Sequence, residues 1–476
     1  MSTRVAEVEA RSGSLRKELG VVDLALAQIL YIVGTGWVGT AAKLGHAHLA
    51  FWLAAIVMFY LPQAAVVIYL NRRMPLEGGI YQWATAAFGE GGGFLVAWNL
   101  WAYTLLMLAT FGVMVAQNIG YILGPGLAAV TATSWWSPAL SVLLIGGVTA
   151  LALRGLGVAK WVQNVGAVAQ VLTYVALLAV PWFALSRGTL HAFHPLRPAL
   201  PPISAYSVNI FSKMALGAFS GFEYVALLAG ECRSPARSIG RSVMVAVPIV
   251  ALMFILGTDS VVALVPNDRI DLVSPIPQTL TIGYAGLSFA RLIVPALVCL
   301  VVLRQLGNST LIFAGNTRLP MVAGWDGLLP RWFTRLDPRW RTPRNSILFV
   351  GGLTIVLSLA GQLGVGRQEA FQLLDNAAGV FYALCYAALF AIPLLGARRL
   401  GVRPPLWLRL ACAAGLGTSL LYSVMTVFPI IDVPNWHIFA AKILGVLLGG
   451  NLVGFAVLAA RRWSSNRRLE AVAPRA

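Results

Sequence analysis

Apolar residues gather into stretches of about twenty that recur from Val22 to Ala460, separated by short polar gaps. A hydrocarbon core about 30 Å thick needs roughly 20 apolar residues per helical crossing, so each stretch predicts a membrane-spanning helix. Twelve such spans are read, at approximately 22–41, 49–70, 94–123, 135–153, 161–185, 209–231, 242–264, 287–316, 345–361, 370–395, 406–428 and 437–460. The expected class is therefore all-α integral membrane protein, with the lipid bilayer as its solvent. The chain is 58% hydrophobic and 11% charged, more apolar than a soluble domain of 476 residues requires. The first twenty residues are polar and charged. No cleavable signal peptide is expected ahead of the first span, which is itself too long for a signal h-region.

A net charge of +18 would suit nucleic acid or acidic lipid if it were clustered, but its distribution follows the topology instead. With the N-terminus inside, inner segments hold 26 of the 35 Lys and Arg, and outer loops hold 5. The other four, Lys213, Arg291, Arg304 and Lys442, lie in or at the edges of spans. The positive-inside rule then puts both termini in the cytoplasm, consistent with an even number of spans. No nucleic-acid partner is expected. Arg outnumbers Lys thirty to five, a composition that suggests a GC-rich bacterium and its cytoplasmic membrane. Cys232, Cys299, Cys385 and Cys412 have no paired spacing, so neither a disulfide framework nor a metal site is expected. His46, His48, His191, His194 and His437 fall in outer loops or at their margins and read as solvated.

Two spans are interrupted near their middles by glycine and small polar residues. Span one carries Ile32-Val33-Gly34-Thr35-Gly36-Trp37, and span six carries Gly217-Ala218-Phe219-Ser220-Gly221-Phe222-Glu223. Glycines in membrane helices also serve close helix packing, and Gly34-Thr35-Gly36 alone would fit that role. An offset of five spans has a further meaning: a second unit of five helices enters the membrane from the opposite side, as an inverted repeat requires. Two broken helices meeting at mid-membrane free backbone N–H and C=O groups inside a protein-lined cavity. The predicted organisation is a tail at 1–21, a five-helix unit at 22–185, its inverted partner at 209–395, two additional helices within 406–460 and a tail at 461–476. Gly91 to Gly93 are assigned to loops and packing.

Four further motifs follow in order. Leu15-Arg16-Lys17-Glu18-Leu19-Gly20 leads into the first span, and Pro75-Leu76-Glu77-Gly78-Gly79-Ile80-Tyr81-Gln82-Trp83 precedes Phe88-Gly89 and Trp98-Asn99. Ser220 to Glu223 is followed by Glu231-Cys232-Arg233-Ser234-Pro235-Ala236-Arg237. Arg318, Asp326-Gly327-Leu328-Leu329-Pro330 and Thr342-Pro343 lie in the inner loop after span eight. Together they resemble the amino acid–polyamine–organocation transporter superfamily over most of the chain. The resemblance implies a five-plus-five inverted-repeat, leucine-transporter-like core with two added helices, and alternating access for amino acids, polyamines or related amines.

For an α-amino acid, a site needs donors for the carboxylate and acceptors for the ammonium. The half-helix starting at Thr35 to Trp37 offers free N–H groups at its positive dipole end, and Val33, Gly34 and Gly36 belong to the same break. The first half of span six ends near Ala218 to Ser220, where carbonyls at the negative end accept from the ammonium. Phe219 and Phe222, flanking Gly221, are expected to gate the pocket. Trp37 stands where the family usually has an aliphatic residue, and either narrows the pocket or packs against lipid or a neighbour. Glu223 is a candidate proton carrier, or else a structural acceptor tying span six to its neighbours.

Arg304 lies mid-span in helix eight, where a charge costs about 2.5–3.5 kcal/mol on insertion scales and needs a partner. Asn308 sits one turn away on the same face. The expected partner is Glu223 or Asp375, with a substrate carboxylate as the alternative. Gln170 falls where some proton-driven relatives place a buried lysine, and Leu30 replaces a glycine common in the family's first helix. Neither the proton-coupled nor the sodium-coupled scheme transfers directly, which leaves proton coupling and solute exchange both open. No H-E-x-x-H, G-x-S-x-G or clustered Cys/His site suggests an enzyme or a cofactor. A solute sensor on a transporter fold would carry a signalling domain, for which tails of about 20 and 15 residues leave no room.

Overall fold

The computed structural model describes residues 20–472 apart from 76–77, 191–195, 197–198, 200–201, 227–231, 233, 323–330, 339, 341 and 402. The motif residues Leu15–Leu19, Leu76, Glu77, Glu231, Arg233 and Asp326–Pro330, the histidines His191 and His194, most of the predicted N-terminal tail and residues 473–476 lie outside the described residues; the rest of the predicted C-terminal tail, 461–472, continues the last helix.

The described elements are helical, with no strand among the described residues. Span one is two helices, α1 (Val21–Ile32) and α2 (Thr35–Ala42), meeting at a 50° bend. Then come α3 (Gly45–Arg73), α4 (Ile80–Phe88), α5 (Glu90–Leu123), α6 (Trp136–Leu153) and α7 (Leu156–Ser186). Span six is split into α8 (Ala205–Ser212), a π-turn at Lys213–Ala218, and α9 (Phe222–Ala226). The second half continues as α10 (Pro235–Leu264), α11 (Pro275–Tyr284), α12 (Ala290–Val322), α13 (Arg344–Gln362) and α14 (Arg367–Leu395). It ends in α15 (Leu406–Met425) and α16 (Trp436–Val472). Ten of these helices are long and apolar enough to cross a bilayer, eleven with the bent pair, among the described residues. The interrupted sixth span, in pieces of 8, 6 and 5 residues, is not among them, so the twelve expected crossings compare with ten or eleven.

The burial pattern separates core from periphery. Two-thirds of the apolar stretch is enclosed in α5 and α14 (67% each), against 11% in α16. Lipid offers apolar residues as favourable a contact as protein does, so what holds such helices together is close packing and polar pairs. Both occur here. Gln28 Nε2 donates to Ser242 Oγ (2.7 Å), Trp52 Nε1 to Thr258 Oγ1 (3.1 Å), and Asn316 Nδ2 to the Trp101 carbonyl (3.1 Å). Gly91–Gly93, assigned to loops and packing, form the first turn of α5, and Gly93 serves packing: a side chain there would strike Thr85.

Two features of the predicted outer side depart from the sequence reading. Residues 265–286, expected as a plain outer loop, contain α11, and Pro275 at its start packs directly on Gly39 of α2. Asp271 pins this cap: its carboxylate accepts from Gln117 Nε2 (2.9 Å), the Tyr121 hydroxyl (3.0 Å) and the Val273 and Ser274 amides (3.0 and 3.2 Å). His48, expected in solvent, is buried with Nε2 at 3.5 Å from Asp259 Oδ1. It starts the helical part of α3 and faces α10, so helix packing encloses it. His46 and His437 are exposed, as expected.

Candidate functional site

The two breaks face each other. Helix α1 ends at Val33, whose ψ of 83° leaves the helical region, and α2 begins after an extended Gly34. The first-turn amides of α2 at Thr35, Gly36 and Trp37 therefore lack intrahelical acceptors. The second break is a π-turn followed by Ser220 and Gly221, with Gly221 at φ +135°, a conformation that L side chains rarely adopt. Glycine is needed here for space as well, because a Cβ on Gly221 would lie 2.7 Å from Tyr31 and 2.8 Å from Ile32 at the end of α1. Across the same junction the Trp37 indole packs against Gly217, where a Cβ would sit 2.4 Å from the ring.

Between the breaks is a cavity of about 50 Å³, room for a few waters. Gly34, Thr35, Gly36, Trp37, Ser220, Arg304 and Asn308 line it, joining seven of the predicted residues, together with Gly217 of the span-six break. Trp37 therefore narrows the pocket and does not face lipid. Phe371 and Asp375 of α14 complete one wall, and Met107 and Thr110 of α5 another. These four were not predicted as binding residues, since sequence leaves helix rotation undetermined. Asp375 alone carried a signal, a carboxylate inside an apolar span, and was read only as a partner for Arg304.

The remaining predicted residues take supporting places. Ala218 is buried behind the cavity. Phe219 and Phe222, expected as gates, turn away from it: both stack on Tyr60 at ring-centroid distances of 4.2 and 5.0 Å, and Phe219 packs edge-on against Trp52 at 5.1 Å. The Phe219 carbonyl accepts from Gln63 Nε2 at 2.5 Å, and the Gly221 amide donates to the Tyr386 hydroxyl at 2.7 Å. The break in span six is thus tied to α3 on one side and α14 on the other.

Arg304 corrects the expected ion pair. It is buried, and its guanidinium donates to Gln170 Oε1, to Gln305 Oε1 (3.1 Å) and to the Val33 carbonyl (2.9 Å), with no carboxylate partner among the described residues. Gln170 Nε2 donates to the same carbonyl at 3.0 Å. The physical reason is the dipole: Val33 O is the orphaned acceptor at the negative end of α1, and a cation there is stabilised by it. Glu223 is likewise committed elsewhere. Its two oxygens accept from the Tyr382 and Tyr386 hydroxyls of α14, and it does not line the cavity.

The fold and site together define a broken-helix membrane transporter architecture. Residues 19–448 match the amino acid permease family, and the chain belongs to it. It is 24% identical over 380 residues to an uncharacterized transporter of Legionella pneumophila, covering 79% of this chain and 80% of that one. It is 23% identical over 400 residues to the branched-chain amino acid permease BcaP of Bacillus subtilis, covering 78% and 82%. The solved structure of MhsT in complex with L-phenylalanine, which has the leucine-transporter-like fold, superposes with a TM-score of 0.61 at 15% identity, covering 91% of this chain and 99% of that one.

Proposed function

We propose that this chain carries a small amino acid or related amine across a bacterial cytoplasmic membrane by alternating access, with both termini in the cytoplasm. The observation that supports it most is the junction of two broken helices around one cavity. There the first-turn amides of α2 suit a carboxylate, and the carbonyls at the end of the π-turn suit an ammonium. A volume of about 50 Å³ is too small for an amino acid, so this conformation is a closed one, and loading requires Trp37 to leave Gly217. The two five-helix units, 22–185 and 209–395, would move against each other about this junction, with the helices of 406–460 outside it.

Arg304 bears on coupling. With a fixed guanidinium on the Val33 carbonyl, the negative end of α1 needs no mobile cation. Sodium independence is the consequence, with a proton gradient or a counter-solute as the driver. Glu223, tied to two tyrosines, fits the structural role better than the carrier role.

The test is entry of a radiolabelled amino acid and amine panel into proteoliposomes, driven by an inward proton gradient or by preloaded unlabelled solute, with and without sodium. Entry under either driver without sodium supports the reading. Entry that requires sodium refutes the role given to Arg304. No entry of any panel member overturns the transport assignment.

A further inference from the structure

Asp375 is a carboxylate with an unmet need. It lies on α14 one turn after Phe371, is 8% exposed, and lines the cavity between the two breaks. Among the described residues no hydrogen bond or ion pair holds it. The two nearby cations are engaged elsewhere. Lys213 Nζ donates to Asn376 Oδ1, reaches Thr426 Oγ1 at 3.5 Å and sits 5.8 Å from the Tyr422 ring centroid, on the α15 side of α14. It influences Asp375 only through the longer-range field. Arg304 is spent on Val33, Gln170 and Gln305. Asn308 Oδ1, also buried and lining the cavity, has no hydrogen-bond partner either.

A buried anion that no protein group neutralises is costly, and such residues in membrane spans mark ligand pathways. The cavity therefore presents two open acceptors, one of them charged, to a ligand rich in N–H donors. If an α-amino acid used only the backbone groups of the two breaks, its carboxylate and α-ammonium would both be served there and Asp375 would be left over. The leftover charge calls for a second positive group on the cargo.

We propose that Asp375 receives a side-chain or terminal cation of the transported solute, so that the cargo is a dibasic amino acid or a diamine. This rests on the transport reading above and adds the charge of the substrate to it. The carboxylate forms a charge-assisted hydrogen bond to an ammonium or guanidinium, and a neutral side chain of equal length leaves it unpaired.

The test uses the full chain in proteoliposomes preloaded with unlabelled L-lysine, L-leucine and putrescine, with entry of each labelled solute measured in turn. The expected result is lysine or putrescine entering at least about tenfold faster than leucine. Lysine without putrescine identifies an amino acid carrier that also needs the α-carboxylate, and putrescine without lysine identifies a diamine carrier. Asp375→Asn should lower the cation-to-leucine ratio about tenfold or more, and Asp375→Glu should restore part of it. In detergent, lysine or putrescine should raise the Tm of the wild type and not of Asp375→Asn. Preferential leucine entry in the wild type overturns the proposal, as does an unchanged ratio in a folded Asp375→Asn. Should Asp375→Asn not fold, the wild-type preference and Asp375→Glu decide. Failure of all three to enter the wild type overturns this proposal, and entry of another member of the amino acid and amine panel then keeps the transport reading standing without it.

Discussion

Replacing Arg304 by methionine tests the tie at the first break most directly, because methionine keeps much of the side-chain length and removes the charge. The wild-type guanidinium makes three hydrogen bonds, and the one to Val33 O bridges α12 to the end of α1. A hydrogen bond to a charged group contributes about 1.5–3 kcal/mol. Burying the guanidinium costs several kcal/mol, which the substitution relieves, while the Gln170 and Gln305 oxygens lose their donor at about 1–3 kcal/mol each, so the two effects offset and global stability changes modestly. The conformational balance behaves differently. Loss of about 1.5–3 kcal/mol from the closed arrangement alone shifts its population by roughly tenfold to a hundredfold. Two readouts are expected. Solute entry into proteoliposomes falls at least about tenfold, while the Tm in detergent moves by only a few degrees. A cysteine placed at Thr40, which lines the cavity, becomes more reactive to maleimide in the Arg304→Met background than alone, with the native cysteines replaced by serine. Wild-type entry and unchanged Thr40→Cys reactivity in a folded Arg304→Met protein would refute the reasoning. Arg304→Lys should lie between, because an ammonium keeps the charge but lacks the planar fork that reaches Val33 and Gln170 together.

Three further outcomes follow from the same junction. Gly217→Ala puts a methyl 2.4 Å from the Trp37 ring and should cut solute entry about tenfold, while Trp37→Ala in the same chain should recover part of it, measured as initial rates. Gly221→Ala is strained at φ +135° and collides with Tyr31, so thermal unfolding should report a loss of about 2–4 kcal/mol, against little change for Gly352→Ala, whose added methyl meets nothing. Glu223→Gln keeps an acceptor for one of the two tyrosines, so solute exchange should survive it, whereas Glu223→Ala takes the carboxylate acceptor from both hydroxyl protons and should lower stability by about 2–4 kcal/mol in thermal unfolding. If Glu223→Gln abolishes proton-driven entry while sparing exchange, the carboxylate carries the proton after all.

The sequence by itself determined the solvent, the element type and the two places where helices break. Bilayer thickness fixes the length of an apolar span, and the backbone's need for internal hydrogen bonds makes each span a helix. Glycine with small polar neighbours in an apolar run then marks the interruption, which is why Gly34 and Gly217–Gly221 could be read directly. Arg304 announced itself as a mid-span charge, but its partner did not. A carbonyl at a helix end is invisible in a list of side chains, so a carboxylate was expected where Val33 O and Gln170 stand. Rotation about each helix axis decided the rest. Phe219 and Phe222 fall on the side facing Tyr60 instead of the cavity, and Phe371, Asp375, Met107 and Thr110 fall on the side facing it. His48 shows the same limit at the outer edge: a loop-margin position in the sequence is buried because α10 happens to lie across it. Apolar periodicity carries little orientation when most faces of a helix meet either lipid or protein that is equally apolar. Only the packing of α5, α12 and α14 around the two breaks assigns the residues that face the cavity.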